Sequence, residues 1–391
     1  MKEPSTFILM LLGTFASVSA VLFTPALPQI AHILHISEAM AQLTITLYLI
    51  GYAIGNLPYG PLSNRLGRKP TLFIGIIIAL IGNGMMALLP LFPSFGLLLV
   101  GRFLNALGAS VGLKIAFTMI GDIYSHEKAT KKISFLMLAF AMGPGLAIVL
   151  GGILTTYAGW TSNFYFLIFY SLLLLALSTQ LPETCQKIDK KALQIDKILE
   201  GYGQKFKNRR LMLCACLMGC GTAVIYLFAA AAPFIGIEQL GFSPEKYGFL
   251  NFIPPLGMVI GSFFAIKLAG KQETLATMKL GISIALGVSA LMFFLFVAGM
   301  VNLWTLFIPM PFLYIGEALV FANASSLALS HAQNKSNASA VMNFVNLGLS
   351  FVILSLFGLI SFPASYLIPL VFFLLTLVML FLRFRLEKLP L

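Results

Sequence analysis

The hydrophobic residues of this 391-residue chain are grouped into twelve blocks of about 20 residues, and this grouping limits the possible folds more than any other feature. A helix of about 20 residues is long enough to cross the hydrocarbon core of a bilayer. The strands of an outer-membrane barrel would instead alternate apolar and polar residues. We number the blocks spans 1 to 12, and they cover residues 7–29, 39–60, 71–91, 96–120, 133–157, 163–181, 211–235, 246–267, 279–300, 303–330, 338–361 and 365–383. The chain is therefore predicted to be an all-α membrane protein with twelve transmembrane helices.

The charged residues fit this prediction. Only 10% of the residues are charged and 59% are hydrophobic, whereas a soluble domain carries about 25% charged residues. The net charge of +12 would suit a nucleic-acid partner, but the positions of the basic residues explain it better. If the N-terminus is cytoplasmic, all 25 Lys and Arg residues fall on cytoplasmic segments except Lys246, Arg102 and Lys114. This is the positive-inside bias, and it predicts that both termini are cytoplasmic and that no nucleic acid binds.

The chain contains an internal repeat. Gly51 and Gly55 in span 2 correspond to Gly257 and Gly261 in span 8, close to half the chain length further on. Glycines four residues apart form a flat strip on a helix, against which another helix can pack closely. The repeat predicts two six-helix halves, residues 1–181 and 211–391.

A polar segment at residues 182–210 separates the two halves. Its apolar residues Ile188, Ala192, Ile195 and Leu199 recur at helical spacing among Lys and Asp residues. This pattern predicts an amphipathic helix on the inner membrane surface. We interpret the segment as a cytoplasmic linker rather than a separate domain.

Three charged side chains lie inside the predicted spans: Arg102 and Lys114 in span 4, and Glu317 in span 10. Intramembrane charges are costly and usually face the bundle interior or a water-filled cavity. An Arg side chain does not lose its proton, whereas a buried carboxyl group can titrate because burial favours its neutral form. We therefore predict Glu317 as the main proton-coupling group, with Asp122 at the membrane boundary as the next candidate. The alternative is a structural ion pair of Glu317 with Arg102 or Lys114.

The two cations of span 4 also have alternative roles. Arg102 either tunes a nearby acid as a permanent charge or donates hydrogen bonds to helix carbonyls. Lys114 either faces the cavity or extends along the helix towards the inner surface.

Other residue types predict helix breaks and argue against a metal site. Pro144 is expected to interrupt span 5, Pro254 and Pro255 to interrupt span 8, and Pro309 to break or bend span 10, because proline removes a backbone donor. The Cys and His residues have no spacing typical of a zinc site. The spans contain no evident set of convergent nucleophiles, so neither a metal nor an enzyme is predicted.

Several motifs resemble those of one transporter family. The sequence GPLSNRLGRK at 60–69 looks like motif A of the major facilitator superfamily, and LVGRFLNALGA at 99–109 is similar to its motif B. Gly-Pro at 143–144 with Gly-Gly at 151–152 resembles motif C of drug/proton antiporters. The segments PALP at 25–28, GW at 159–160, LPET at 181–184, PF at 233–234 and ASA at 338–340, together with Asn323, resemble the Bcr/CflA group of bacterial drug-resistance transporters.

The resemblance implies a fold and an activity. The fold is two pseudo-symmetric six-helix halves around a central cavity, in the bacterial inner membrane. The activity is export of small amphipathic molecules by alternating access, driven by inward proton flow, with no cofactor besides the proton gradient. The partners are the lipid bilayer, a small-molecule substrate and protons, and we expect a monomer.

The candidate site residues fall into three groups. Proton coupling is assigned to Glu317, Arg102 and Asp122. The substrate cavity is assigned to Lys114, Asn105, Glu317, Tyr226, Phe228, Tyr314, Asn323 and Phe344. The gating motifs are assigned to Gly60, Asn64, Arg65, Gly67, Arg68, Pro144, Gly151 and Gly152.

The sequence departs from the family pattern at several positions. Asn64 replaces the acidic residue of motif A, Val21 stands where span 1 usually carries an acid, and Asn105 replaces the glutamine of motif B. Two arginines typical of the end of span 4 are Phe117 and Gly121 here. The loss at Asn64 should weaken the contacts that close the inner gate. The spans contain two buried cations and only one mid-span acid. An alternative function is therefore dedicated export of an anionic metabolite such as a carboxylate siderophore.

Overall fold

The chain folds into a bundle of long helices. The structure is a computed structural model that describes residues 3–185, 188–190, 192–194, 202–269, 272–330, 335–360 and 364–389. Among these residues there is no β-strand, and ten helical segments are long and apolar enough to cross a membrane. The bent pair Glu38–Asn56 and Tyr59–Leu66 makes an eleventh, and the apolar helix Ser162–Ser178 is shorter at 17 residues. These segments coincide with the twelve predicted spans and keep their numbers.

The helices follow one another in sequence order, and several spans consist of two helical pieces. In the N-terminal half they are Thr6–Val21 and Leu27–Ile33 (span 1), Glu38–Asn56 and Tyr59–Leu66 (span 2), Arg68–Ala87 (span 3), Phe95–Ala109 and Val111–Ile123 (span 4), His126–Ala158 (span 5) and Ser162–Ser178 (span 6). In the C-terminal half they are Arg209–Pro233 with a π-helical end Phe234–Gln239 (span 7), Pro244–Leu250 and Ile253–Leu268 (span 8), Thr274–Val297 (span 9), Leu303–Phe307 and Pro309–Leu329 (span 10), Lys335–Gly358 (span 11) and Ala364–Glu387 (span 12).

Proline accounts for breaks in spans 1, 8 and 10. The first helix of span 1 ends at Val21, and a short 3₁₀ turn containing Pro25 precedes the next helix. The second helices of spans 8 and 10 both begin with proline in the first turn, where no backbone donor is needed. The predicted breaks at Pro254 and Pro309 are therefore confirmed. Each break leaves carbonyl groups at the end of the preceding helix without a helical partner.

The predicted interruption of span 5 at Pro144 is wrong. His126–Ala158 is one helix of 33 residues that continues through Pro144. A proline inside a helix costs one backbone hydrogen bond. In a membrane bundle the neighbouring helices make this loss tolerable.

The glycine pair of span 2 packs against span 4. A methyl group placed on Gly51 would lie 2.9 Å from the carbonyl oxygen of Phe103, and one on Gly55 would lie 2.7 Å from that of Leu107. A side chain at either position would separate the two helices. The pair therefore brings the backbones of spans 2 and 4 into direct contact.

The corresponding pair of span 8 makes the equivalent contact with span 10. A methyl group on Gly257 would overlap the carbonyl oxygen of Pro311, and one on Gly261 would lie 2.7 Å from that of Ile315. In both halves, two glycines of the second span thus pack against the fourth span. This equivalence agrees with the repeat seen in the sequence.

The bundle has two ends with different charges. We call the end that carries Arg65, Arg68 and Lys69 the basic face, and the end that carries His32 and Glu238 the opposite face. At the opposite face the Nε2 atom of His32 lies 3.0 Å from Oε1 of Glu238, which joins span 1 to the end of span 7. The two halves are therefore linked at this end.

Spans 5 and 8 close the same end of the bundle. A methyl group on Gly152 would overlap the carbonyl oxygen of Pro244, so the two backbones touch. The Tyr157 hydroxyl donates a hydrogen bond of 2.9 Å to Glu245, whose own backbone N–H donates to the hydroxyl of Thr156. The structure is thus a conformation closed at the opposite face.

The linker contacts the basic face. The Tyr202 hydroxyl donates a hydrogen bond of 3.1 Å to the Leu57 carbonyl, and burial raises the pKa of Tyr202, which keeps this donor protonated. Residues 188–190 and 192–194 are not helical. The predicted amphipathic helix is therefore wrong at Ile188 and Ala192, while Ile195 and Leu199 fall among residues 186, 187, 191 and 195–201, which lie outside the described residues.

Candidate functional site

Arg102 is fully buried in span 4 and binds the broken end of span 1. Its Nη1 donates 2.7 Å to the Ser19 carbonyl and its Nη2 donates 2.9 Å to the Ala20 carbonyl. The last four carbonyls of a helix have no helical partner, and the helix here ends at Val21. A third hydrogen bond of 3.3 Å goes from Nε to the Thr44 carbonyl of span 2. Arg102 thus ties spans 1, 2 and 4 together.

Two aromatic rings surround the Arg102 guanidinium. Its Cζ atom lies 4.2 Å from the ring centre of Phe23 and 4.4 Å from that of Tyr48. Both rings offer their faces to the cation, which is a favourable electrostatic contact. No carboxylate among the described residues forms an ion pair with Arg102. Its charge is balanced by carbonyl dipoles and ring faces. The span 1 carbonyls that it binds come directly before Val21, the residue that stands where the motif resemblance implies an acid.

Lys114 makes a weaker contact of the same kind. Its Nζ lies 3.4 Å from the carbonyl of Asn56, the last residue of the first helix of span 2. Gly60 lies beside it, since a methyl group there would be 3.6 Å from Nζ. Within the described part of the chain no acidic side chain pairs with this ammonium group. Lys114 is half-buried and has donors available for another partner.

Glu317 is fully buried in span 10, and neither of its carboxylate oxygens has a hydrogen-bond partner among the described residues. A methyl group placed on Gly221 of span 7 would overlap Oε2 of Glu317, so the carboxyl group lies directly against that helix. No described cation forms an ion pair with it. The alternative of a structural ion pair with Arg102 or Lys114 is therefore not observed.

Two tyrosines lie between the buried charges of the two halves. Tyr226 of span 7 lies near Arg102 and near Tyr52 of the N-terminal half. Tyr314 lies near both Tyr226 and Glu317. The predicted cavity residues Tyr226 and Tyr314 thus connect the surroundings of Arg102 to those of Glu317.

The other predicted cavity residues are more dispersed. Phe228 is buried and packs edge-on against Phe307, with ring centres 6.0 Å apart. Phe344 of span 11 contacts Phe206, which precedes span 7, with ring centres 6.3 Å apart. Asn323 is half-buried and donates a hydrogen bond of 2.8 Å to a carbonyl of its own helix. None of these three contacts involves Glu317.

Asn105 lies inside the N-terminal half. Its Nδ2 donates a hydrogen bond of 2.7 Å to Asn83 of span 3, which in turn donates to the hydroxyl of Ser171 in span 6. All three side chains are buried. Asn105 therefore contacts span 3 and is linked to span 6 only through Asn83, and neither partner belongs to the C-terminal half.

Asp122 belongs to a network at the basic face. Arg68 forms an ion pair with it, with Nε 2.9 Å from Oδ2, and the Thr184 hydroxyl donates a hydrogen bond of 2.7 Å to the same oxygen. The network links the end of span 4 to the start of span 3 and to the start of the linker. Asp122 and Glu317 therefore have different neighbours. Asp122 contacts span 3 and the linker at the basic face, whereas Glu317 lies against span 7.

The motif A turn is held by a carboxylate from the linker. Gly67 has a φ of 102°, a conformation that favours glycine, and helix Arg68–Ala87 begins immediately after it. Glu183 accepts hydrogen bonds from the backbone N–H groups of Arg68 and Lys69, at 2.9 and 3.0 Å. A carboxylate at a helix N-terminus is favourable. Asn64 accepts a hydrogen bond of 2.8 Å from Arg68, and Arg65 is half-buried in the same turn.

The motif C glycines bring span 5 close to two other spans. A methyl group on Gly151 would overlap the Leu22 carbonyl of span 1, and Gly152 makes the contact with Pro244 of span 8. Pro144 lies in the same helix, about two turns before Gly151. The two glycines therefore bring span 5 against spans 1 and 8 at the opposite face.

Sequence reasoning missed several of these contacts. For Arg102 the sequence offered hydrogen bonds to helix carbonyls as one of two alternatives, and the structure shows these bonds, but the sequence did not indicate which carbonyls they are. Gly221 follows Gly219 in span 7 without a pattern that distinguishes it from other membrane glycines. Glu183 belongs to the LPET segment, and the sequence does not indicate that it binds the start of span 3, although a carboxylate is a usual partner of a helix N-terminus. Among the described residues no group of three His, Cys, Asp or Glu side chains is placed to hold a metal.

Comparison with known proteins agrees with this architecture. The family model described as Major Facilitator Superfamily matches residues 9–355. Multidrug resistance protein D of Escherichia coli K12 is 26% identical over 322 residues, which cover 82% of this chain and 79% of that protein. The chloramphenicol resistance protein CraA of Acinetobacter baumannii is 24% identical over 337 residues, which cover 86% of this chain and 80% of that protein.

A solved structure shares the fold. The inward open conformation of the xylose transporter XylE from E. coli aligns with a TM-score of 0.75 and 16% identity, covering 96% of this chain and 94% of that one. At this identity the likeness concerns the fold alone.

Proposed function

The chain belongs to the major facilitator superfamily, and from this premise we propose that it is a proton-coupled exporter of small amphipathic molecules that works by alternating access. It is a membrane transporter rather than an enzyme. Relatives named for multidrug and chloramphenicol resistance support an amphipathic drug-like substrate. Glu317 is the group that carries the proton.

The observation that carries the proposal is the environment of Glu317. Its two carboxylate oxygens are buried without a hydrogen-bond donor or a cation among the described residues. An ionised carboxylate is strongly disfavoured in such a place. Glu317 is therefore neutral in this conformation, and it releases its proton when movement of the helices admits water. A carboxyl group that changes charge with conformation can couple a proton gradient to transport.

The other two predicted coupling residues act differently. Arg102 keeps its charge at all accessible pH values, and its hydrogen bonds hold the break in span 1 against spans 2 and 4. Asp122 is held by Arg68 and Thr184 at the basic face. We assign to Arg102 the positioning of the cavity wall and to Asp122 the stability of the basic face.

The proposal includes an orientation in the membrane. The basic face lies in the cytoplasm, as the positive-inside bias requires, with both termini on that side of a bacterial inner membrane. A conformation closed at the opposite face is then closed towards the outside of the cell. The protein works as a monomer surrounded by lipid, and its only energy source is the proton gradient.

The experiment is transport by purified protein in liposomes with an imposed pH gradient. We expect gradient-dependent movement of compounds from a panel that includes chloramphenicol, and loss of this movement when a protonophore collapses the gradient. Glu317→Gln should abolish gradient-driven transport, because an amide cannot release a proton. Glu273→Gln, which changes an exposed acid before span 9, is the matched control. Unchanged gradient-driven transport by Glu317→Gln would contradict the proposal.

A second candidate function is export of an anionic metabolite such as a carboxylate siderophore. It is favoured by Lys114, whose half-buried ammonium group has a single long hydrogen bond to a carbonyl and no acidic partner among the described residues. A cation with free donors near a cavity attracts a carboxylate. Including carboxylate compounds in the same panel separates the two functions.

A further inference from the structure

Span 7 has a glycine where it faces the buried carboxyl group of span 10. A methyl group placed on Gly221 would overlap Oε2 of Glu317 and would lie 2.9 Å from its Cδ and 3.1 Å from Cε2 of Phe321. Real Cβ atoms essentially never lie within 3.0 Å of another atom in this way, so the two contacts with the carboxyl group could not both persist. The carboxyl group therefore occupies the space that a side chain at position 221 would fill. We call this space the Gly221 notch.

The Gly221 notch contains no polar partner for the carboxyl group. Both oxygens of Glu317 are without a hydrogen bond among the described residues, and the side chain is fully buried. The ring of Phe321, one turn further along span 10, borders the notch. A neutral carboxyl group can stay in such a place, whereas an ionised one would lose its hydration without compensation.

Among the described residues, the titratable side chains near Glu317 are Tyr314 on its own span and Cys220 on span 7. Neither a tyrosine nor a cysteine ordinarily carries a charge at physiological pH. The neighbouring spans 8 and 9 approach span 10 through Gly261 and Gly281, which contact its backbone. No Lys, Arg or acidic side chain in the described parts of spans 7, 8, 9 and 11 pairs with the carboxyl group.

We propose that Gly221 is a positioning residue for the coupling carboxyl: its missing side chain forms the notch that stores Glu317 in the protonated form. The proposal rests on the proposed role of Glu317 in proton coupling. It adds a second residue, on another span, that makes protonation depend on how spans 7 and 10 pack.

The notch links conformation to proton transfer. While spans 7 and 10 pack as they do here, the carboxyl O–H stays in the notch. When the spans separate, the carboxyl group meets water, its proton passes to a water molecule, and a hydrated carboxylate remains. The carboxylate returns to the notch only after it has bound a proton again. A larger residue at position 221 breaks this link because the carboxyl group no longer fits.

The test measures the protonation of Glu317 directly. Infrared difference spectra of the full-length protein in lipid nanodiscs report the carboxylic C=O band, which is assigned as the band lost in Glu317→Gln. Gly221→Ala should lower the ratio of protonated to ionised Glu317 at pH 7 by about tenfold or more, because the carboxyl group is displaced towards water. Gly219→Ala is the matched control on the same helix, since a methyl group there meets Leu349 and the Asn346 carbonyl instead.

A second variant distinguishes displacement of the carboxyl group from the notch from a general disturbance of helix packing. Glu317→Asp shortens the side chain by one methylene, so combining it with Gly221→Ala should restore the protonated band relative to Gly221→Ala alone. A wild-type ratio in Gly221→Ala, or an equal loss in Gly219→Ala, would overturn the role of the notch. The absence of restoration in the double variant would overturn it as well. These outcomes leave the role of Glu317 itself intact, because that role fails only if Glu317→Gln retains gradient-driven transport.

Discussion

Among the described residues, the N-terminal and C-terminal halves each bury one acidic or basic side chain completely, Arg102 and Glu317, but they surround it in opposite ways. The guanidinium of Arg102 donates three hydrogen bonds to backbone carbonyls and lies between two aromatic rings. The carboxyl group of Glu317 has no hydrogen bond among the described residues and lies in the Gly221 notch. The hydrogen bonds of Arg102 hold three spans together, whereas in our proposal the carboxyl group of Glu317 changes its protonation during transport.

The two halves are otherwise built alike. The glycine pairs of spans 2 and 8 make the same backbone contact with spans 4 and 10. The difference between Arg102 and Glu317 therefore does not come from a different architecture. It comes from what lies next to each side chain: a broken helix end with free carbonyls beside Arg102, and a glycine beside Glu317.

The largest expected effect is a loss of stability when Arg102 is replaced. Arg102→Met keeps much of the side-chain volume but leaves the carbonyls of Ser19, Ala20 and Thr44 buried without this donor. We expect a loss of about 3 kcal/mol or more in the free energy of unfolding. Thermal unfolding of the purified protein in detergent should show a clearly lower midpoint, and Arg102→Lys should recover only part of the loss because an ammonium group cannot reach all three carbonyls.

An unchanged unfolding midpoint in Arg102→Met would contradict the structural role of this residue. The hydrogen bonds of Arg102 would then contribute nothing to the stability of the N-terminal half.

A smaller effect is expected on substrate preference at Lys114. Lys114→Ala should lower the ratio of anionic to cationic substrate transport by about tenfold, because a half-buried cation attracts anions and repels cations. Lys114→Arg should restore the ratio only in part, since the two head groups differ in shape and hydration. The ratio is measured in liposomes with a carboxylate and a quaternary ammonium compound.

Lys388→Ala is the control for this experiment, because it removes one positive charge near the C-terminus, far from span 4 in the sequence. Equal ratios in the wild type and Lys114→Ala would remove the anion-export function. The multidrug function would remain.

The smallest effect is expected from Glu317→Met, and its sign is opposite to that of Arg102→Met. Replacing an unsatisfied buried polar group by an apolar one of similar size is neutral or stabilising. We expect a gain of about 1 kcal/mol in the free energy of unfolding, together with the loss of gradient-driven transport. Thermal unfolding of both methionine variants under the same conditions checks the difference in sign. Destabilisation by Glu317→Met similar to that by Arg102→Met would mean that the carboxyl group has partners in the folded protein.

Much of the fold could be predicted from the sequence, because it depends on local patterns. Apolar blocks of bilayer length predicted the spans, and the repeated glycines predicted the two halves. Prolines marked the breaks in spans 8 and 10. Pro144 shows the limit of this reasoning, because its effect depends on whether neighbouring helices compensate for the lost hydrogen bond.

The surroundings of the site were harder to predict. The sequence identifies Arg102 and Glu317 as buried charges but does not show which atoms lie beside them, since these come from other spans. The pairing of Arg102 with carbonyls near Val21, and of Glu317 with Gly221, depends on how the helices pack. The link between Glu183 and the start of span 3 likewise joins residues that are distant in the sequence.

The most direct test of the central claim compares two modes of transport by Glu317→Gln in the same liposomes. One is uptake driven by an imposed pH gradient, and the other is exchange of labelled for unlabelled substrate without a gradient. If Glu317 carries the proton, the variant should lose gradient-driven uptake and retain exchange, because exchange needs no net proton movement. Retention of gradient-driven uptake at the wild-type rate would show that the proton is carried elsewhere and would contradict the account.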